Sequence, residues 1–365
     1  MLGQPSAAGE VELEMIMNFS IRRVLIRRVL IRRVSIRRAT IKNFLALLSL
    51  VTGLTCTTWS HANAAAGDTA TEASVTILSS NLANGAAVGE WGLSALVRVD
   101  GQCILFDAGR YPDTVIRNAE VLNVDLSCVT DVVLSHFHFD HTTGLIPIIE
   151  NLREINPGAI RRVHVAAGFF APRRAVSQSA IAANQMIDER SRIEAMGVEF
   201  LVHEQATEIF PAVWVSGPVE RLHPETNYGT ALEVSLDGEW VRDHLPESQA
   251  LVIRTDQGPI VLLGCGHSGV VNALSQIQEQ IQDEAIHALM GGLHLFAASD
   301  ETLNWTAENL KEIGVQNLMA GHCTGIEPLM RLRAGLSLNR RTAVVGAVGS
   351  RFVLGEGIYP TAIAM

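Results

Sequence analysis

From about residue 65 onward, short runs of apolar residues alternate with stretches of helical spacing. "SVTILSS" (74–80), "LSALVRVD" (93–100) and "QCILFDAG" (102–109) are brief, β-rich and punctuated by Gly, Asp and Asn, the pattern of paired strands. "DTVIRNAEVLNV" (113–124) carries apolar residues at helical intervals. "VTDVVLS" (129–135) then reads as a buried strand, "GLIPIIENLREI" (144–155) as a helix and "RRVHVAAG" (161–168) as a strand. The longest helical pattern is "SQSAIAANQMIDERSRIEAMG" (177–197), closing on Gly197 as a C-terminal cap does.

The second half repeats the theme. Strands are expected in "EFLVHE", "AVWVSGPV", "TALEVSLDGEW" and "QALVIRTDQGPIVLLGCG", followed by a helix in "VVNALSQIQEQIQ". Strand "IHALMGG", helix "DETLNWTAENLKEIG", strand "QNLMAGH" and a last strand pair through "TAVVGAVGSRFVLG" complete the chain. Two mixed α/β halves, sheets facing each other and helices outside, are the simplest layered solution. Residues 65–365 are expected to form one domain.

The first 64 residues break this pattern. "IRRVLIRRVLIRRVSIRRATIK" repeats every five residues, which suits neither a helix face nor a strand face. A moderately apolar run, "NFLALLSLVTGLTCTTW", follows, and Ala62-Asn63-Ala64 then offers a small-x-small cleavage pattern. Basic, apolar and cleavage regions in that order describe an export signal. Arg37-Arg38 with Lys42 resembles a twin-arginine signal, although Thr40 stands where that signal usually has Phe. The acidic stretch before Met17 fits no signal design, so Met17 is a second candidate start. The expectation is a protein exported to the periplasm, without a stable membrane span after cleavage.

Removing residues 1–64 takes away nine bases and three acids and leaves 19 bases against 35 acids, a formal charge of −16. Such a surface repels phosphate backbones, so nucleic acid is not an expected partner. Cys103, Cys128, Cys265 and Cys323 remain; none forms a CxxC pair, and no disulfide framework is expected in a chain of this size.

The chemistry concentrates in "SHFHFDHTTG" (135–144). A strand end places His136 and His138 on one side of the chain, and Asp140 and His141 follow where the backbone turns into a helix. Three imidazoles and a carboxylate after an apolar strand have no packing rationale and suit Zn²⁺, with Fe or Mn also compatible. Further ligands must come from elsewhere. His267 in "GCGHSG", His294 in "GGLHL" and His322 in "AGHCTG" each follow an apolar run and sit beside Gly, which lets backbone approach closely. His164, His203, His223 and His287 read as packing or surface residues.

The HxHxDH motif resembles the metallo-β-lactamase superfamily, and the resemblance covers residues 74–355. "EWGLSALV", "ILFDAG", "LLGCGHSGVVNAL", "GGLHL" and "GHCTG" resemble one branch, named after 7,8-dihydropterin-6-yl-methyl-4-(β-D-ribofuranosyl)aminobenzene 5′-phosphate synthase. The resemblance implies an αββα four-layer sandwich with one or two metals between the sheets. His136, His138 and His267 would hold one; Asp140, His141 and His322 the other. It also suggests Glu90 and Arg221 as pocket residues; His294, read from its place in the sequence, could equally be a substrate or supporting residue. Phe137 and Phe139 replace the Gly and Tyr common in the branch. Gly264-Cys265 stands where the superfamily has a Gly-Asp turn that bridges two metals. Cys265 is expected to be a small buried thiol near the site, with a metal-ligand role as the alternative.

The implied function is that of an exported hydrolase using a metal-bound hydroxide on an ester-, lactone- or phosphoester-like small molecule, with Asp140 as catalytic carboxylate. Two alternatives stay open: a carbon–nitrogen bond-forming transferase like the synthase, and a mononuclear iron redox enzyme on the same fold.

Overall fold

A computed structural model describes residues 68–176, 184–225 and 231–365, which lie in the compact unit Ser60–Met365. The basic repeat, the apolar run and the cleavage pattern lie outside the described residues, as does the start of the helix expected at 177–197.

In chain order the elements are β1 (Ala73–Ser79), β2 (Ser94–Val99), β3 (Gln102–Phe106), α1 (Thr114–Val121), β4 (Asp131–Val133), α2 (Phe139–Thr142), α3 (Leu145–Ile155), β5 (Arg162–Ala166), β6 (Arg173–Ala175), α4 (Met186–Ala195) and β7 (Glu199–His203). There follow β8 (Thr207–Phe210), β9 (Val213–Val215), β10 (Leu232–Leu236), β11 (Glu239–Arg242), β12 (Ala250–Ile253), β13 (Ile260–Leu263) and α5 (Val270–Gln280). The chain ends with β14 (Ala288–Gly291), α6 (Asp300–Ile313), β15 (Leu318–Ala320), α7 (Ile326–Gly335), β16 (Ala343–Val345), β17 (Arg351–Val353) and β18 (Gly357–Tyr359).

Two large sheets result. One has the order β18-β17-β1-β2-β3-β4-β5-β7, the other β16-β15-β14-β13-β12-β9-β8, and a small sheet β11-β10-β6 stands apart from both. The pairs from β3 to β7 and from β13 to β16 are parallel. Parallel strands are covered on both faces, which explains their near-continuous apolar sequences.

Alternation along each strand sorts residues into three apolar layers. Val75, Val97, Ile104 and Phe106 from the first sheet meet Leu251, Ile253, Ile260, Leu262 and Met290 from the second. The opposite residues of the first sheet, such as Leu96, Leu105 and Val132, pack with Ile148 and Ile149 of α3 and Ile193 of α4. Val252, Val261 and Leu289 of the second sheet pack with Leu274 of α5, Leu310 of α6 and Leu332 of α7. The αββα sandwich is therefore the observed fold. Each such side chain contributes about 1.5–3 kcal/mol when fully buried.

Three details differ from the sequence expectation. The terminal "strand pair" does not pair: β16 closes the second sheet while β17 joins the first beside β1. The longest described helix is α6, fixed by a hydrogen bond from Thr302 N to the Ser299 side chain and by Gly314 at φ 87°. Cys103 and Cys128 form a disulfide, tying β3 to the loop before β4. No helix among the described residues is long and apolar enough to cross a membrane.

Candidate metal centre

The parallel strands of both sheets deliver the polar residues at their C-terminal ends, where open α/β sheets place their ligands. Asp107 follows β3, and Ser135, His136 and His138 follow β4. Cys265 and His267 follow β13, His294 follows β14, and His322 follows β15.

Asp107 organises the first-sheet side. It is fully buried, adopts φ 55°, and anchors its own N–H on the Val133 carbonyl. Its carboxylate accepts from Ser135 N at 2.7 Å and Ser135 Oγ at 2.8 Å, and pairs with His141 Nδ1 at 2.7 Å. Carboxylate oxygen can only accept here, so His141 carries a proton on Nδ1 and turns Nε2 towards the centre. That nitrogen faces Cys265 Sγ at 3.1 Å and Asp140 Oδ2 at 3.7 Å. Asp140 Oδ2 is also 3.2 Å from His322 Nε2.

The second-sheet side must approach closely. A Cβ at Gly264 would lie 1.8 Å from Ser135 Oγ and 2.8 Å from Asp107 Oδ2. Glycine is thus required where β13 ends, immediately before Cys265. The loop beyond it is held by Arg221, whose Nη2 donates to the His267 carbonyl at 2.6 Å and the His244 carbonyl at 2.7 Å. Glu225 caps α5 from a separate loop, accepting from Val271 N at 3.2 Å and Asn272 N at 2.8 Å.

One donor atom each from Asp140, His141, Cys265 and His322 lies within 4.8 Å of the others, and the same holds for His136, Cys265 and His267. The ring of His138 stands 4.6 Å from that of His136 and 4.9 Å from that of His267. The structure thus brings together all six residues expected to hold metal, and adds Cys265, which is common to both groups. His294 adjoins them with its ring 4.4 Å from that of His267.

Burial and mutual repulsion push the His136 and His267 imidazoles well below their ordinary pKa, and burial chiefly brings His138 down to about 3. These rings are neutral, as metal ligation requires. Burial works against ionisation of Asp140, but His141 and His322 outweigh it and hold the carboxyl well below its usual range. Burial likewise opposes charge on His141, yet the Asp107 and Asp140 carboxylates raise it to about 9. The donor set of imidazoles, an ionised carboxylate and a thiol fits a divalent transition metal.

Glu90 and Arg221 stand behind the centre rather than in it. Buried Glu90 accepts from Ser79 Oγ at 2.6 Å and from Arg110 N and Tyr111 N at 2.9 Å, so it ties the Asp107 loop to β1. Phe137 is buried with the Arg173 guanidinium 3.9 Å from its ring centre. Arg173 is itself enclosed, ion-paired to Asp243 and Glu247, and burial raises Glu247 to about 7. Phe139 instead faces outward, 48% exposed, beneath the Arg110 guanidinium. Trp91, whose ring lies 5.1 Å from that of His322, and Phe296, 6.0 Å from Trp91, form an exposed aromatic rim.

Sequence reasoning missed Asp107, Gln249 and the aromatic rim. Gln249 donates its N–H to the Ser135 carbonyl and its Nε2 to the Leu134 carbonyl, linking the end of β4 to the start of β12. The signal for Asp107 was present: an acid ending the apolar run "QCILF" is poorly explained as a solvated turn residue once that run is a central strand.

Residues 92–271 match the profile of the Metallo-beta-lactamase superfamily. A 7,8-dihydropterin-6-methyl-4-(beta-D-ribofuranosyl)-aminobenzene-5'-phosphate synthase from Methanocaldococcus jannaschii is 27% identical over 244 residues, covering 65% of this chain and 81% of that protein. The uncharacterized protein MJ0448 of the same organism is 29% identical over 262 residues, covering 71% and 93%. Among solved structures, Tm1679, a metal-dependent hydrolase of the beta-lactamase superfamily, superposes with a TM-score of 0.59 at 27% identity, covering 73% of this chain and 94% of that one. The chain has the metallo-β-lactamase fold and resembles the dihydropterin synthase branch of that superfamily.

Proposed function

We propose that this protein is an exported, metal-dependent hydrolase of a small ester-, lactone- or phosphoester-like molecule. The observation that carries the reading is the pair of donor groups, Asp140/His141/Cys265/His322 and His136/Cys265/His267, joined through one thiol at the meeting of the two sheets. These residues, with His138, would hold one or two ions; Zn²⁺ suits the mixed N, O and S donors best. Bound there, the metal supplies Lewis-acid polarisation and lowers the pKa of water.

The chain's own residues do the rest. Asp140 stays ionised and can orient a water by accepting its hydrogen bond at Oδ2, beside His322 Nε2 at 3.2 Å; where it does not hold metal it can also accept that water's proton. Asp107 fixes the His141 ring and its tautomer. Trp91, Phe139 and Phe296 are exposed around the centre and offer apolar area to a substrate. Arg110 is half-buried between Tyr111 and Phe139 and has no carboxylate partner among the described residues, which favours an anionic group on that substrate. The hydrolase described for Tm1679 supports the reaction class.

Export is supported by the Cys103–Cys128 disulfide, a bond that persists in oxidising compartments. A carbon–nitrogen bond-forming transferase is the second reading, favoured by the 27% identical synthase. Metal analysis of the purified protein, with an activity screen over esters, lactones, phosphodiesters and thioesters, tests the hydrolase. Hydrolysis lost in His138→Ala supports it. Activity unaffected by that substitution, or stoichiometric iron without zinc, counts against it. Cell fractionation separates the compartments: a cytoplasmic protein with residues 17–64 intact favours the transferase.

A further inference from the structure

The ends of three adjacent parallel strands carry a second kind of donor set. Cys265 follows β13, His294 follows β14 and Cys323 follows β15, and one donor atom from each lies within 4.8 Å of the other two. Both cysteines are buried free thiols, and His294 is half-buried. We infer that Cys265, His294 and Cys323 form a thiol-rich site for a thiophilic cation such as Zn²⁺, sharing Cys265 with the histidine–carboxylate centre.

Three observations carry this. Close approach of the thiols is built into the backbone. A Cβ at Gly292 would lie 2.8 Å from Cys323 Sγ and 2.3 Å from the Gly264 carbonyl, so only glycine lets β14 pass between the two cysteine loops. His294 and His322, the residue before Cys323, adopt φ 48° and φ 49°, left-handed conformations that non-glycine residues rarely hold and that gather at ligand sites. The loops are also locked to each other: Leu293 N donates to Thr324 Oγ1 at 3.0 Å, and Phe296 N donates to the Cys323 carbonyl at 3.2 Å.

Oxidation state points the same way. Cys103 and Cys128 are joined as a disulfide, whereas Cys265 and Cys323, with sulfurs within 4.8 Å, remain thiols. In a compartment that oxidises the first pair, a bound cation would keep the second pair as two separate sulfur ligands. A single buried thiol packs as a small apolar residue. Two thiols and an imidazole meeting at one point do not follow from packing, and soft thiolate ligands select Zn²⁺ or Cu(I) over harder cations.

The site rests on the metal-centre reading only through the shared Cys265, and its test is spectroscopic. The full chain is stripped with a chelator and titrated anaerobically with Co²⁺. A strong near-ultraviolet thiolate-to-cobalt charge-transfer band is expected. Cys323→Ser should lower that band by about half and remove one equivalent of cobalt, and Cys265→Ser should abolish the band. His294→Ala should weaken that equivalent by about 10–100-fold while the band persists at saturation. An unchanged band and stoichiometry in Cys323→Ser overturn the proposal. Should the serine variants not fold, the wild-type protein loaded with ¹¹³Cd decides. A resonance in the range of two-sulfur coordination supports the site, and resonances confined to nitrogen and oxygen coordination overturn it. Neither readout depends on hydrolysis, so the two readings fail separately.

Discussion

Two buried clusters of carboxylate and imidazole flank β4. At its start, Asp131 Oδ1 accepts from Arg162 Nε at 2.6 Å and pairs with His164 Nε2 at 2.9 Å, while His164 Nδ1 meets His203 Nε2 at 3.0 Å. Beyond its end, Asp107 Oδ2 pairs with His141 Nδ1 at 2.7 Å. Residue types and distances are nearly alike. The difference lies at the second ring nitrogen. In His164 it meets an imidazole on the neighbouring strand, so the hydrogen bonds close within the sheet. In His141 it faces Cys265 and Asp140, donors that converge with His322 on common ground. A buried histidine is therefore no signal in itself; what its second nitrogen faces separates a structural pair from a ligand.

Removing a ring from each cluster breaks the comparison most directly. His141→Ala should lower kcat/KM for the substrate identified by screening by on the order of 10³-fold, as loss of a metal ligand and of charge stabilisation implies. His164→Ala should leave the active fraction turning over at the wild-type rate. Equal losses in the two, measured on folded protein, would mean that the Asp131 cluster also serves the chemistry.

Asp131→Asn reverses the test. Asp131 is fully buried and serves Arg162 and His164 together. Its neutralisation should cost about 2–3 kcal/mol in urea unfolding, with bound metal unchanged. The Arg162 side chain is 41% exposed, so most of that loss comes through His164. Asp107→Asn should do the opposite, lowering metal affinity by about 10–100-fold in competition with a chelator, because His141 loses the acceptor that sets its tautomer. A fall in stability without a fall in affinity would make Asp107 a structural residue like Asp131.

This pair also shows how far the sequence could be read. The four-layer sandwich was legible because period-two alternation and helical spacing both act locally, and each strand's two apolar faces report the layers on either side of it. The residues His136, His138, Asp140 and His141 share one strand end and one turn, so their spacing in the chain already implies proximity. Asp107 and Asp131 are a different matter. Both are lone acids beside apolar strands, and only the pairing of β3 with β4, and of β4 with β5, determines which imidazole each meets. The Cys103–Cys128 disulfide was missed for the same reason: its partners are 25 positions apart and meet only when the sheet forms. The separation of β16 from β17 also depends on tertiary pairing, since two adjacent apolar runs look alike whether they pair or join different sheets.

The smallest effect concerns pH and sharpens the comparison from the structural side. Burial first, and then repulsion from His164, lowers His203 to about 4 from an ordinary value of 6.5. Between these values the unfolded chain binds a proton that the folded chain does not. His203 therefore supports the fold fully above about pH 6.5 and loses that support progressively as pH falls towards 4. The urea midpoint should fall over this window, and His203→Gln should flatten the fall because glutamine does not titrate. Added zinc should shift stability in wild type and His203→Gln alike, since the His203 ring is committed to His164 on the far side of β4. A zinc response confined to the wild type would join the two clusters into one metal-linked system and remove the distinction between them.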